Sequence, residues 1–175
     1  MYHNLLIRHI SLSNYLMHHY DSLSPDKIIS AVESIGIACD ARLLALNSYE
    51  NRVYQVGIED REPLIAKFYR SERWSDEQIL EEHQFSLDLA EAEISVVAPY
   101  EHQKETLFKY ENFRFALFAR RGGHPPELES ETSLKTLGRT LGRIHSVGSA
   151  GNFEARPELC FEKEIKDSST FLLNN

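Results

Sequence analysis

Apolar residues recur with two different periods along this chain, and the changes of period divide it into elements. Ile28, Ile29, Val32 and Ile35 recur at helical spacing. They follow Ser24-Pro25-Asp26, an N-cap, a proline suited to the first helical position and an acid in the first turn, and they stop before Gly36. This predicts a short packing helix. From Leu43 the period falls to two. Leu43, Leu44 and Leu46 lead into a polar turn at Asn47-Ser48-Tyr49-Glu50-Asn51, and Val53 and Gln55, with Tyr54 and Val56 between and after them, read as a second strand. Glu59-Asp60-Arg61-Glu62 makes the next turn, and Pro63 opens a third strand. On that strand Ile65, Lys67 and Tyr69 share one face, and Leu64, Ala66 and Phe68 the other.

Helical spacing returns after Ser75. Ser75 and Gln78 fit a capping box, which predicts a helix to about Ala92. Ile79, Glu82, Ser86 and Leu89 fall on one stripe of it, with Glu81 turned about 100° toward the more polar side. Ile94 to Pro99 then leads into Thr106 to Tyr110, a turn at Glu111-Asn112, and Phe113 to Ala119, read as fourth and fifth strands of a twisted antiparallel sheet. Arg120-Arg121-Gly122-Gly123 is read as an exposed connector, with an anion site as the alternative. A last helix is predicted from about Ser130 to Ser146. Leu134, Leu137, Leu141 and Ile144 form its core-facing stripe, expected to lie exposed in this chain where a second lobe would dock, and Gly138 and Gly142 leave room for another element.

Composition works mainly by exclusion. The chain has 175 residues, 42% hydrophobic and 10% aromatic, which suits a folded domain or one lobe of something larger. A net charge of −8 argues against nucleic-acid and anionic-membrane partners. No stretch approaches the roughly 20 apolar residues of a membrane helix. Cys39 and Cys160 lie far apart with no metal-ligand spacing, and the expected setting is a reduced, cytoplasmic one. Residues 1–22 are read as an N-terminal extension without a signal-peptide core, with Met17 as an alternative start and His18-His19 too poorly disposed to bind metal.

The candidate chemistry begins with Lys67. Its plain reading is an edge-strand lysine whose stem covers apolar surface. Glu82 changes that reading: a carboxylate on a partly apolar stripe needs a partner, and Lys67, on the preceding strand, is the obvious one.

The strings LNSYENRVYQV, AKFYRSERWSDEQILEEHQF and LGRTLGRIH, over a span of roughly Leu23 to Leu173, closely resemble bacterial stress-response serine/threonine protein kinases. These kinases belong to the wider group of aminoglycoside phosphotransferases, choline kinases and homoserine kinases. The resemblance implies an α+β fold: a protein-kinase-like N-terminal lobe of five antiparallel strands with one crossing helix, plus the first helix of an incomplete C-terminal lobe. It implies an ATP-binding lobe at residues 23–121 and a hinge with a truncated start of the second lobe at 122–175. It further implies ATP with Mg²⁺ as the phosphoryl source, a protein substrate, and nucleotide contacts at Ser48, Lys67, Glu82, Leu117 and Ala119. Ser48 would meet the phosphates, Lys67 would hold them with Glu82 as its partner, and Leu117 to Ala119 would form the hinge against adenine. One departure is plain: residues 43–56 contain no glycine, so the turn would grip more by side chains.

Past that point the pattern thins. His145 is read as a packing residue, and Gly148-Ser149-Ala150-Gly151 lacks the spacing and preceding strand of a nucleophile elbow. Beyond His145 the one aspartate, Asp167, has no His-Gly before it. No catalytic-loop aspartate and no metal ligands are therefore assigned within this chain, which is expected to be inactive alone. A small-molecule kinase of the same superfamily and a non-catalytic binding module stay open as alternatives.

Overall fold

The structure is a computed structural model, and it describes residues 22–123, 125–158, 160, 165–166, 169–170 and 172–173. Met17, His18 and His19 lie outside the described residues, as does all but the last residue of the expected extension. The element order is α1 (Pro25–Glu33), β1 (Cys39–Leu46), β2 (Arg52–Ile58), β3 (Arg61–Tyr69), α2 (Asp76–Glu91), β4 (Phe108–Tyr110), β5 (Phe113–Ala119) and α3 (Glu131–Gly148). The five strands form one sheet in the order β1-β2-β3-β5-β4, and every pairing is antiparallel. The chain leaves the sheet after β3, runs through α2, and returns at β4 on the far side of β5.

Strand alternation explains how the sheet divides its work. Leu64, Ala66 and Phe68 of β3 join Phe115 and Leu117 of β5 and Ile28, Ala31 and Val32 of α1 in the main core. Phe68 stacks on Phe115 with centroids 5.4 Å apart. The opposite face carries Ile65, Lys67 and Tyr69, and register places Phe118 beside Ile65 and Ala116 beside Lys67. There Tyr69 and Ala116 pack against Ile79 of α2 in a second, smaller cluster. Truncating a side chain buried like Phe68 costs about 3–5 kcal/mol in a core of this kind.

Several boundaries differ from the expectation. β1 begins four residues earlier, at Cys39, because an irregularity between Cys39 and Leu43, with Ala41 at φ 64°, breaks the alternation by which strands are recognised. Gly57 faces this irregularity: a Cβ there would lie 2.0 Å from Asp40 Oδ1. Two residues, Glu59 and Asp60, suffice for the next turn, since Asp60 adopts φ 55°, and β3 therefore starts at Arg61. β4 is only three residues long. Thr106 belongs to no strand, and its hydroxyl is hydrogen-bonded to a side chain of α2.

The stripe of α3 lies open, as expected of a face on which a second lobe would dock. Leu134, Leu137 and Leu141 are exposed at 48%, 38% and 47%, and no residue of the helix is buried. Among the described residues, no other element comes within 4 Å of where a Cβ on Gly138 or Gly142 would stand.

Candidate functional site

β3 and α2 build the site between them. Lys67 sits in mid-strand with β2 and β5 on its two sides, so its backbone is fixed by ladders from Val53 and Ala116. It is therefore not an edge residue. α2 starts where Ser75 accepts from the Gln78 N–H at 3.2 Å and the Gln78 side chain accepts from the Ser75 N–H at 2.9 Å. That capping box sets the rotation of the helix and brings Glu82 over Lys67. Lys67 Nζ donates to Glu82 Oε1 at 3.2 Å and lies 4.6 Å from the ring centre of Tyr69. Burial works against charge on Glu82, yet Lys67 and the guanidinium of Arg156 outweigh it and hold the carboxyl below its ordinary value.

A second layer lies behind this pair. His83, 2% exposed, accepts or donates at both ring nitrogens: Tyr69 Oη is 2.7 Å from Nε2, and Thr106 Oγ1 is 2.9 Å from Nδ1. Burial pushes the imidazole down from 6.5 to about 4 and pushes the Tyr69 phenol up, so both stay neutral near pH 7. A neutral pair there leaves Lys67, Glu82 and Arg156 as the charged groups beside it. The start of α2 is tied separately, with Asp76 accepting from Arg114 at 2.9 Å and Lys109 at 2.5 Å.

The β1–β2 turn is built from side chains. Ser48 Oγ donates to the Asn51 carbonyl at 2.5 Å, and Asn51 Oδ1 accepts from the Arg70 N–H at 3.2 Å. Glu50 pairs with Arg73 at 2.8 Å. The turn is thus pinned to the β3–α2 connection, an arrangement that fixes its path without glycine.

Of the five residues singled out in the sequence, Lys67 and Glu82 are in direct contact. Ser48 is exposed on its turn. Leu117 is fully buried on the opposite face, in the α1 core, and its carbonyl accepts from the Tyr100 N–H at 2.7 Å. Its side chain gives no wall to the Lys67 face; strand alternation puts Phe118 and Ala116 there instead. Ala119 ends β5 opposite Leu64. Arg120, Arg121 and His145 are exposed.

Two groups of the site escaped sequence reasoning. His83 carried a usable signal, since it lies four residues after buried Ile79 on the same helical stripe. Arg156 carried none, because its contact with Glu82 spans 74 residues. Glu81 was expected on the polar side, but it accepts from the backbone N–H groups of Glu154, Ala155 and Arg156 at 2.5–3.1 Å.

A sheet of this order, with a strand lysine paired to a glutamate on the crossing helix, defines the class of kinase-like lobes. Two solved structures share the fold. An amicoumacin kinase in complex with AMP-PNP and Ca²⁺ aligns with a TM-score of 0.64 at 19% identity, over 83% of this chain and 46% of its own. A microcompartment-associated aminopropanol kinase aligns with a TM-score of 0.55 at 19% identity, over 77% and 45%. The chain belongs to the phosphotransferase enzyme family (APH), which it matches over residues 42–167. Among curated relatives, stress response kinase A of Escherichia coli K12 is 44% identical over 140 residues. Serine/threonine protein kinase RdoA of Salmonella typhimurium is 42% identical over the same length. Each alignment covers 80% of this chain and 43% of the relative, so the chain spans under half the length of the curated relatives it matches.

Proposed function

We propose that this chain is the nucleotide-gripping part of an ATP-dependent protein serine/threonine kinase of the bacterial stress response. The observation that carries the reading is the Lys67–Glu82 ion pair, 3.2 Å across, between the middle strand of the sheet and its crossing helix. A lysine ammonium held by one carboxylate keeps donors free for phosphate oxygens, and fixing it in advance avoids reorganisation when the triphosphate arrives. In this reading Lys67 holds the phosphates, Glu82 orients Lys67, and the turn bearing Ser48 covers the phosphates. Ala119, with Phe118 beside it, offers the hinge to adenine. Residues 23–121 form this lobe, and residues 122–175 the hinge and the beginning of a second one.

Mg²⁺ would arrive with the nucleotide. Among the described residues no group of three or more His, Cys, Asp or Glu side chains could hold a metal, so no residue is assigned to it. The proposed setting is cytoplasmic; both cysteines are free thiols, and among the described residues no helix is long and apolar enough to cross a membrane. The relatives' printed names favour a protein acceptor. A small-molecule acceptor is the second reading, favoured by the names of the two kinases that share the fold.

The test is transfer of labelled γ-phosphate by the purified chain to itself and to a generic protein substrate. The expected outcome is no transfer above a Lys67→Ala control, because past His145 the sequence offers only Asp167 and no His-Gly-Asp stretch to orient an acceptor. Clear turnover that disappears in the control would overturn the assignment of the chain as a binding half.

A further inference from the structure

Glu82 has two cations on it. One carboxylate oxygen takes Lys67, and the other takes the guanidinium of Arg156, from the segment that follows α3. Arg156 is itself closely held. Its Nε donates to the Gln78 carbonyl at 3.1 Å, its guanidinium lies 4.4 Å from the ring centre of Trp74, and its backbone N–H donates to Glu81 at 2.8 Å. The neighbouring amides of Glu154 and Ala155 end on the same Glu81 carboxylate, and Gln78 Nε2 donates to the Ala155 carbonyl at 2.9 Å. Just over one turn of α2, from Gln78 to Glu82, thus binds residues 154–156 through backbone and side chain alike.

The chemistry of the contact decides what it does. A guanidinium is planar and permanently charged, and this one is fixed by a carbonyl on one edge and an indole on its face. It therefore anchors the far oxygen of Glu82 in direction as well as in charge. The two cations occupy different oxygens, so Arg156 does not displace Lys67; it holds the carboxylate in the orientation that points its near oxygen at Lys67. Without it, Glu82 on a half-exposed site regains rotamer freedom, and Lys67 loses a fixed partner.

We infer that Arg156 is a positioning residue for the phosphate grip, acting on Lys67 through Glu82 and making that grip depend on the docking of the segment after α3. The inference rests on the nucleotide reading of Lys67. It is tested by titrating ATP and adenosine into the wild-type chain, Arg156→Ala, Lys67→Ala and the double variant, with melting temperatures measured alongside. Arg156→Ala is expected to weaken ATP by about three- to tenfold and leave adenosine unchanged, and the double variant is expected to bind ATP no more weakly than Lys67→Ala alone. Arg156→Lys, which keeps the charge but cannot make the forked contact, should recover only part of the loss. An additive double variant, an equal loss for ATP and adenosine, or a lowered melting temperature with ATP affinity intact would each overturn the inference and leave the reading of Lys67 standing. Should Lys67→Ala bind ATP as tightly as wild type, both fall. If Arg156→Ala does not fold, the same comparison is made with Arg156→Lys, and unchanged ATP affinity there overturns the inference.

Discussion

His83 shows how a single residue of this site can be neutral and still decisive. It is enclosed by Tyr69, Thr106 and Phe118, and the charged groups around it are Glu82, which favours its protonation, and Lys67 and Arg156, which oppose it. Burial dominates, and the folded imidazole takes a proton only near pH 4, against 6.5 for an ordinary histidine. Between those values the unfolded chain binds the extra proton, so stability must fall as pH falls through this window and level off beneath it. The contribution is at most about 3–4 kcal/mol, from about 1.4 kcal/mol per pH unit over the interval from 6.5 to about 4. We predict that chemical denaturation from pH 7 to 4.5 shows this decline in wild type, and that His83→Gln, though less stable overall, loses that component of the slope. Equal slopes would mean that His83 takes up its proton in the fold as it does in the unfolded chain, with no downward shift. Glu82 and Asp76, held below their ordinary values, carry the same sign in a lower window: their stabilisation is present above the carboxylate range and is lost as pH falls through their depressed values.

Among the elements, α2, α3 and β5 were the most legible and β1 and β4 the least. The capping box and the stripe of α2 are local patterns, and the helix runs from Asp76 to Glu91 as they imply. β5 matches its apolar run residue for residue. By contrast, the start of β1 is hidden by its irregularity at Ala41, and β4 is cut short where Thr106 turns to His83. For α3, periodicity gave the helix and the stripe but not what covers it, because burial depends on what else is present. The stripe of Leu134, Leu137 and Leu141 is exposed along one side, and apolar patches of this kind promote association. We predict concentration-dependent self-association by light scattering, reduced by Leu141→Glu. A monomer at all concentrations that binds no hydrophobic dye would contradict it.

For the whole molecule, the five antiparallel strands and the crossing helix were accessible from strand alternation together with a family resemblance, and the pairing of Lys67 with Glu82 was reachable from two local periods, whereas the strand order came only with the structure. What could not be read were the contacts made across the chain: the docking of residues 154–156 on α2 and the pinning of the Ser48 turn by Arg70 and Arg73. Of those contacts, the docking of residues 154–156 reaches the ion pair directly, through Arg156 on Glu82. In the proposed reading the lobe is a preformed phosphate cradle in which Lys67 is the part that meets charge. Titration of the chain with ATP and with adenosine, in wild type and Lys67→Ala, isolates that part, since only ATP carries phosphate. Losing a charge-assisted contact worth about 1.5–3 kcal/mol should weaken ATP by roughly ten- to a hundredfold and leave adenosine unchanged. Equal affinity of wild type and Lys67→Ala for ATP would contradict the phosphate role of Lys67.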